Sequence, residues 1–226
     1  MRIVIIVGSF KTGGAERISI NTGEELIRRG YDVYYIVQRP VFEIPNSIPR
    51  DKIIVLRKEP RSDLFYKIHS LFVGVFKASS SIKPDVVIAF SRFSSFLACF
   101  TFNRNIIARF DANPFRLSKK QRVWADIVLN NPFVRKVVVP SSGMLNALKN
   151  ARPHKADKLY VIPNSINPEY ILDRKAESAK FNFRYIAAMG RLSSDKNFEL
   201  LIRAFHKSDI KEKYKLVIIG EGKLRQ

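Results

Sequence analysis

The sequence predicts an α/β protein built on a doubly wound parallel sheet. Runs rich in Val and Ile recur along its 226 residues. These runs are continuous rather than alternating, as expected for strands that are buried on both faces. Helix-sized segments lie between the runs, and this regular alternation favours a parallel sheet with helices on both sides.

Seven strand-like runs precede residue 164. They read RIVIIV, DVYYIV, KIIVL, PDVVIAF, NIIARF, KVVVP and KLYVIP. The clearest helix is predicted at 16–29, because Ile18, Leu26 and Ile27 share one face and Gly30 follows as a stop signal. Weaker helices are predicted at 64–80, 91–102, 117–129 and 142–149. Residues 1–163 therefore form a predicted Rossmann-like domain.

The pattern changes after residue 163. Segment 164–183 carries turn formers and mixed charges without a strand pattern, which indicates a linker. Residues 184–226 then contain a strand, RYIAAMG, a helix, KNFELLIRAFHKS, and a second strand, YKLVIIG. The apolar face of that helix is formed by Phe198, Leu201, Ile202 and Phe205. This β-α-β unit opens a second Rossmann-like domain and is too small to bury a core like that of the first.

The chain is strongly basic. Forty Lys and Arg residues against twenty Asp and Glu residues give a net charge of +20. This excess favours anionic partners, namely nucleic acid, phosphorylated small molecules or a membrane surface. The lone Cys99 cannot form an internal disulfide, so a cytoplasmic protein is predicted. The short apolar run after Arg2 is predicted to be a buried strand rather than a signal peptide.

A glycine turn, GSFKTGGAER, follows the first strand. Glycines at a strand-to-helix turn let the backbone approach a ligand, and the N-terminus of the next helix suits a phosphate. The spacing fits neither a dinucleotide fingerprint nor a P-loop. A turn that needs positive φ is the alternative interpretation.

A second turn, MGRLSSDKN, leads from the next-to-last strand into the last helix. Arg191 and Lys196 flank this loop. Together they would neutralise one diphosphate, with the arginine forking across two oxygens and the lysine acting as a point charge. Solvated surface cations are the alternative.

Five segments in a fixed order resemble a known family. They are GGAER, VVVPSSGMLNAL, VIPNSINPEYI, AAMGRLSSDKNFELLIRAF and LVIIGEGKLR. Together they resemble the family-4 retaining glycosyltransferases of the GT-B fold, over essentially the whole chain and most specifically at 189–222. The resemblance implies two Rossmann-like domains, with a nucleotide-sugar donor bound mainly by the second and an acceptor mainly by the first.

The resemblance also implies residue roles. Arg191 and Lys196 are the expected catalytic pair, which stabilises the departing donor diphosphate. The expected donor-binding residues are Gly13, Gly14, Gly190, Gly220, Glu221 and Gly222. Arg109 and Asp111 are candidates for acceptor contact, with an ordinary ion pair at a strand end as the alternative. No metal and no cofactor is expected, since the sequence has no Asp-x-Asp pair and the nucleotide-sugar is a substrate.

The sequence departs from the family pattern in the linker and at its end. Asn164, Ser165, Ile166 and Asn167 stand where Asn-Gly-hydrophobic-Asp is usual, and Lys223 stands where a proline is common. In the family, the Glu-x7-Glu motif that grips the sugar and the ribose lies in a region beyond Gly-Glu-Gly, and this sequence has none of that region. We therefore expect a truncated second domain and little or no transferase activity of this chain alone.

The predicted function is transfer of a sugar from a nucleotide-sugar to a cell-envelope glycan or lipid-linked saccharide, in the cytoplasm or peripherally on the inner membrane face. The alternative is a non-catalytic basic protein that binds membranes or nucleic acid. Nucleic acid is not expected, because the basic residues are scattered. An anionic membrane surface is an expected partner of one helix, with a core-packed helix as the alternative. The segment 63–83, which contains that helix, carries Phe65, Phe72 and Phe76 beside Lys67, Lys77 and Lys83.

Overall fold

The protein folds into two compact units. The computed structural model describes residues 1–57, 64–116, 118–166, 168–173 and 181–225. The first unit is Met1–Asn167 and the second is Pro168–Gln226. The described strands form a seven-stranded sheet in the first unit and a two-stranded sheet in the second. Both sheets are parallel, which confirms the predicted α/β class.

The first unit alternates strands and helices along the chain. Its strands are β1 (Arg2–Val7), β2 (Asp32–Val37), β3 (Ile53–Val55), β4 (Val86–Phe90), β5 (Ile106–Arg109), β6 (Val134–Val139) and β7 (Leu159–Val161). Its helices are α1 (Gly14–Arg28), α2 (Leu64–Ile82), α3 (Arg92–Ala98), α4 (Lys119–Asn130) and α5 (Ser142–Ala151). All seven strand-like runs of the sequence therefore form strands.

The order of the strands places a topological switch point in the sheet. The sheet runs β3-β2-β1-β4-β5-β6-β7. Ile6 of β1 pairs with Ile36 of β2 on one side and with Ala89 of β4 on the other. The chain thus winds outward in both directions from β1. In open α/β sheets, ligands bind outside the carboxyl ends of the strands at such a switch point, which here lies between β1 and β4.

The core explains why the strand sequences are continuous and apolar. Val4 and Ile6 of β1 lie in the core cluster on one face of the sheet, while Ile3, Ile5 and Val7 lie in the cluster on the other. Successive side chains of a strand point to opposite faces, so both faces require apolar residues. Full burial of one such side chain contributes about 1.5–3 kcal/mol.

Some helix ends differ from the predicted ones. α1 begins at Gly14, two residues before the predicted start, and Gly30 with φ +83° ends it as predicted. The segment predicted as one helix at 91–102 is α3 followed by a 3₁₀ turn, Cys99–Thr101. Phe102, in the left-handed conformation, ends that turn.

An aromatic cluster holds α3 between α2 and α4. Its members are Phe72, Phe93, Phe96, Phe100 and Trp124. The rings of Phe96 and Trp124 stack, with centroids 5.5 Å apart and an interplanar angle of 17°. Phe72 meets Phe100 edge-on at 4.8 Å. Each such aromatic pair adds about 0.5–1.5 kcal/mol beyond its buried area, so the cluster fixes the position of α3.

Helix α2 is partly packed and partly exposed. Phe72 is half-buried in the aromatic cluster and Val75 is buried, as in a core-packed helix. Phe76 is 44% exposed, and Lys77 is exposed beside it. The side chains of Phe65 and Lys67 lie outside the described residues. Among the described helices, none combines the length and apolarity that a membrane span requires.

The second unit is small and open. It contains α6 (Pro168–Asp173), β8 (Tyr185–Met189), α7 (Phe198–Lys207) and β9 (Lys215–Ile219). The β-α-β elements fall at the predicted places, while α6 lies inside the range predicted as a linker. Proline suits the first position of a helix, because its missing N–H would be unpaired there in any case. None of the residues described in this unit is buried.

Candidate substrate-binding sites

The loops that follow β8 and β9 are joined through their backbones. We call residues 190–197 and 220–225 the paired loops. The Gly190 amide donates to the Ile219 carbonyl at 3.0 Å, and the Leu192 amide donates to the Glu221 carbonyl at 2.9 Å. The Leu224 amide donates in turn to the Leu192 carbonyl at 3.2 Å. The hydrogen bonds between β8 and β9 therefore continue past the ends of the strands.

Glycine is required at two positions of the paired loops. A Cβ at Gly220 would lie 1.9 Å from the Gly190 carbonyl oxygen, and one at Gly222 would lie 2.1 Å from that of Leu192. Backbone atoms cannot give way at such distances, so only glycine allows the loops to approach each other. The structure thus supplies a packing reason for these glycines, and their role in donor binding stays a prediction, as does that of Glu221.

Arg191 and Lys196 lie in the first of the paired loops, and both are exposed. No side chain in the described part of the chain forms a hydrogen bond or ion pair with either cation. The Lys196 side chain passes over Gly190, with its Cδ atom 3.9 Å from the position of a Cβ there. The two cations are therefore available to an anion.

The Asp195 carboxylate is close enough to both cations to be affected by their charges. Its carboxylate accepts a 2.5 Å hydrogen bond from the Ser193 hydroxyl. That bond is the main reason why the pKa of Asp195 lies below its usual value, and the charges of Lys196 and Arg191 lower the pKa further. Both cations thus lie within electrostatic range of one carboxylate, as neutralisation of a shared diphosphate requires.

A cavity of about 490 Å³ adjoins these loops. It is lined by residues of the first paired loop, of α7 and of the last turn, including Leu192, Ser193, Phe198 and Leu224. Apolar walls with a few hydroxyls are typical of small-molecule sites. Neither Arg191 nor Lys196 belongs to the described lining, so the cavity and the cations are neighbouring features rather than one pocket.

The glycine turn of the first unit has a different character. Gly13 precedes α1 in an extended conformation, with φ −175°, and Gly14 has no atom within 4 Å of a Cβ position. The interpretation of this turn as one that needs positive φ is therefore wrong. A Cβ at Gly13 would meet only the movable Glu16 carboxylate, at 2.4 Å. The chain's own packing does not require glycine at position 14, which leaves open space at the N-terminus of a 15-residue helix.

The loop before α1 is anchored by Glu43. Its carboxylate accepts a 2.9 Å hydrogen bond from the Thr12 amide. This bond holds the pKa of Glu43 below its usual value. Phe10, which precedes the loop, is fully buried and bonds to Val41 and Glu43 through its backbone. The backbone that leads into the glycine turn is therefore held in place by hydrogen bonds, next to the switch point.

Arg109, at the end of β5, is buried and paired. Its side chain is 6% exposed, and its Nε donates to Asp111 Oδ1 at 3.1 Å. A second guanidinium nitrogen, Nη2, donates to the side-chain oxygen of Asn164, beyond β7. The predicted alternative, an ion pair at a strand end, is confirmed. The burial of Arg109 favours a positioning role, in which it ties the segment after β7 to β5, over direct contact with an acceptor.

Asp111 lies closer to the surface than Arg109. Its side chain is 30% exposed. Burial raises the pKa of this carboxyl, against the opposing charges of Arg109 and Arg92 and a hydrogen bond from the Ser91 backbone. Asp111 is therefore the member of the predicted acceptor pair that a ligand can reach.

Ser91 and Arg92 lie beside Asp111, and sequence reasoning missed both. They follow β4, where the sequence predicts only the start of a helix. Ser91 has φ +84°, and its hydroxyl accepts a 3.4 Å hydrogen bond from the Ser94 amide. Arg92 donates from Nη1 to the Ala112 carbonyl at 3.3 Å. A charged residue directly after a buried strand was the one available signal.

No group of three or more His, Cys, Asp or Glu side chains with the geometry to hold a metal ion occurs within the described ranges. The three site regions are thus the paired loops, the glycine turn before α1, and the polar cluster at the ends of β4 and β5. All three lie at carboxyl ends of parallel strands, where the fold places ligands.

Two family profiles divide the chain between them. Residues 12–170 match Glycosyltransferase Family 4. Residues 171–226 match Glycosyl transferases group 1. The first match alone spans more than half of the chain and contains the glycine turn and the polar cluster. The second contains the paired loops.

Two curated relatives come from Campylobacter jejuni. One is 26% identical over 245 residues and is named GalNAc-alpha-(1->4)-GalNAc-alpha-(1->3)-diNAcBac-PP-undecaprenol alpha-1,4-N-acetyl-D-galactosaminyltransferase. The other, 25% identical, is named N-acetylgalactosamine-N,N'-diacetylbacillosaminyl-diphospho-undecaprenol 4-alpha-N-acetylgalactosaminyltransferase. The alignments cover 100% and 99% of this chain but only 63% and 64% of the relatives.

Solved structures share the fold at low sequence identity. HepE from Anabaena, in complex with UDP and glucose, has a TM-score of 0.73 at 18% identity, over 98% of this chain and 61% of its own. Sucrose-phosphate synthase from Thermosynechococcus elongatus has a TM-score of 0.75 at 17% identity, over 97% and 62%. These likenesses bear on the fold alone.

Proposed function

Because the chain belongs to the family-4 glycosyltransferases, we propose that the protein transfers a sugar from a nucleotide-sugar donor to a lipid-linked saccharide of the cell envelope. The names of the two Campylobacter relatives support this acceptor class, since both act on saccharides linked to undecaprenol through a diphosphate. The chain spans less than two thirds of those relatives, so donor, acceptor and activity are all parts of the proposal.

The exposed cation pair on the paired loops carries the proposal. Cleavage of a sugar–phosphate bond leaves negative charge on the departing diphosphate. Arg191 would fork across two of its oxygens, and Lys196 would add a compact charge, so that both stabilise the charge as it develops. Since the two loops are held together by backbone hydrogen bonds, the cations need little reorganisation when the bond breaks.

The first unit would contribute in two places. The free space at Gly14 would let donor phosphates approach the N-terminus of α1, where backbone amides and the helix dipole favour negative charge. The accessible carboxyl of Asp111, held by Arg109, would accept hydrogen bonds from acceptor hydroxyls. A nucleotide-sugar as substrate and no further cofactor remain the prediction.

Contact with an anionic membrane is part of the proposal. Phe76 and Phe102 meet edge-on at 5.8 Å and are 44% and 63% exposed, next to the exposed Lys77. Exposed aromatic rings flanked by cations are typical of interfacial binding. We expect the protein to sediment with vesicles that contain anionic phosphatidylglycerol but not with neutral phosphatidylcholine vesicles. Equal sedimentation with both would contradict this part.

Nucleotide binding tests the cation pair without requiring turnover. In equilibrium dialysis with radiolabelled UDP, Arg191→Gln and Lys196→Gln should each raise Kd by about tenfold or more, because hydrogen bonds to charged groups contribute about 1.5–3 kcal/mol. Lys213→Gln is the matched control, since Lys213 is an exposed lysine of the same unit. The control should change Kd by less than about twofold. An equal increase of Kd in all three variants would show that Arg191 and Lys196 act only as general surface charge.

Transfer itself needs a separate assay. The absence of activity in this 226-residue chain alone stays a prediction. Transfer of radiolabelled sugar to a prenyl-diphosphate-linked disaccharide, at rates typical of a complete transferase, would contradict that prediction and at the same time support the proposed reaction.

A further inference from the structure

Arg92, directly after β4, has donors that the described protein does not use. Its Nε is buried without a hydrogen-bond partner, and its Nη1 makes one long bond of 3.3 Å to the Ala112 carbonyl. Buried polar groups in proteins are almost always paired, so a buried unpaired donor needs an explanation. We propose that Arg92 binds a phosphate group of a diphosphate-linked substrate, a role that rests on the proposed transferase function.

The charges around Arg92 favour an anion. The described carboxylate that acts on Arg92 is that of Asp111, and Arg109 already binds it at 3.1 Å. Two guanidinium groups therefore share one carboxylate, which leaves an excess of positive charge. Burial lowers the pKa of Arg92, which shows that its charged form is poorly solvated. An anionic ligand would restore the missing electrostatic partner, and the planar fork of arginine matches two phosphate oxygens.

The backbone before Arg92 is held in a conformation that favours glycine. Ser91 has φ +84° and ψ 159°. Strain of this kind persists only where surrounding contacts impose it, and it concentrates at functional sites. Here Ser91 caps α3, because its hydroxyl accepts a hydrogen bond from the Ser94 amide. Gln38, which follows β2, donates to the Ser94 hydroxyl at 2.9 Å. These bonds fix the first residue of α3, and hence Arg92, next to the switch point.

Arg92 remains within reach of a ligand. Although its Nε is buried, Arg92 as a whole is only half-buried, and the neighbouring Asp111 side chain is 30% exposed. Arg57 also has a buried unpaired Nε, but it follows β3, which lies two strands away from β1 in the sheet. Of these two arginines, Arg92 is therefore the one placed beside the switch point between β1 and β4.

Two soluble probes separate the two sources of a diphosphate. UDP represents the donor, and farnesyl diphosphate represents the lipid diphosphate of an acceptor. Binding of each to the 226-residue chain would be measured by isothermal titration calorimetry for wild type, Arg92→Gln and Arg92→Lys. Arg104→Gln is the matched control, because Arg104 is an exposed arginine before β5. It lies at the amino ends of the strands, whereas Arg92 lies at the carboxyl ends.

We expect Arg92→Gln to raise Kd by about tenfold or more for one of the two probes, and the affected probe identifies the source. Arg92→Lys should recover part of the affinity, since it keeps the charge without the fork. An unchanged Kd for both probes, or an equal loss with Arg104→Gln, would overturn the inference. Near-ultraviolet circular dichroism checks that each variant is folded. If UDP binding persists in Arg92→Gln and still depends on Arg191, the inference fails for UDP while the proposed function stands.

Discussion

β1 and β8 begin their units in the same way, as apolar strands that run into a glycine turn and a helix. Five of the six residues of β1 are buried, whereas four of the five residues of β8 are exposed. The difference does not lie in the strand sequences, which are similarly apolar. It lies in what covers them: β1 has neighbouring strands on both sides and helices over both faces, while β8 has β9 as its single partner among the described strands.

The comparison teaches that a β-α-β pattern predicts elements but not a core. Helix α7 has a clear apolar face, yet Ile202 on that face is 50% exposed. Two strands and one helix cannot exclude water from both sides of a sheet. The same residue type therefore contributes differently to the free energy of unfolding in the two units, and matched substitutions measure that difference.

The largest effect is expected from matched leucines on α3 and α7. Leu97 is fully buried in the first unit and Leu200 is 60% exposed in the second. Leu97→Ala should lower the free energy of unfolding by about 2–5 kcal/mol, because it leaves a cavity. Leu200→Ala should change it by less than about 0.5 kcal/mol. Urea unfolding measures both, and equal losses would show that the second unit buries its helix after all.

A smaller effect on the free energy of unfolding is expected from matched glycine-to-alanine substitutions. Gly222→Ala would place a methyl group 2.1 Å from the Leu192 carbonyl oxygen, and overpacking of this kind costs about 1–3 kcal/mol. Gly14→Ala meets open space, so it should leave stability unchanged or raise it by up to about 1 kcal/mol, since alanine favours helices over glycine.

Hydrogen exchange and ligand binding together check the glycine comparison. Gly222→Ala should speed exchange of the β8 and β9 amides, whereas Gly14→Ala should leave exchange in α1 and β1 unchanged. If Gly14 serves a phosphate, Gly14→Ala should nevertheless weaken UDP binding, because the methyl group fills the space that the ligand needs. If Gly14→Ala kept full UDP affinity, the glycine turn would not be part of the donor site.

Much of the fold could be predicted from the sequence. Continuous apolar runs identified every described strand of the first unit, because a parallel sheet covered on both faces leaves few polar positions inside it. Gly30 marked the end of α1 correctly, since its φ of +83° suits glycine. The short helix α6 escaped notice, because six residues are too few for a periodic pattern.

The sites were harder to predict. Arg191 and Lys196 could be proposed as a pair because they are close in sequence and flank one loop, and their role stays a prediction. The packing that requires glycine at Gly220 and Gly222 could not be predicted, since the contacts come from a loop about thirty residues earlier in the chain. Arg109, Asn164 and Asp111 come from distant segments. The left-handed Ser91 and the unpaired Arg92 arise from tertiary contacts that leave no local pattern.

The aromatic cluster around α3 provides the protein with a built-in optical reporter. Trp124 is the single tryptophan of the sequence, and its ring lies against Phe93 and Phe96, on the helix that Arg92 begins. Selective excitation of its indole thus observes one helix rather than an average over the molecule. Ligand-induced movement of α3 would alter the emission maximum or the quenching of that chromophore, and such a change would let site occupancy be followed in real time without any label.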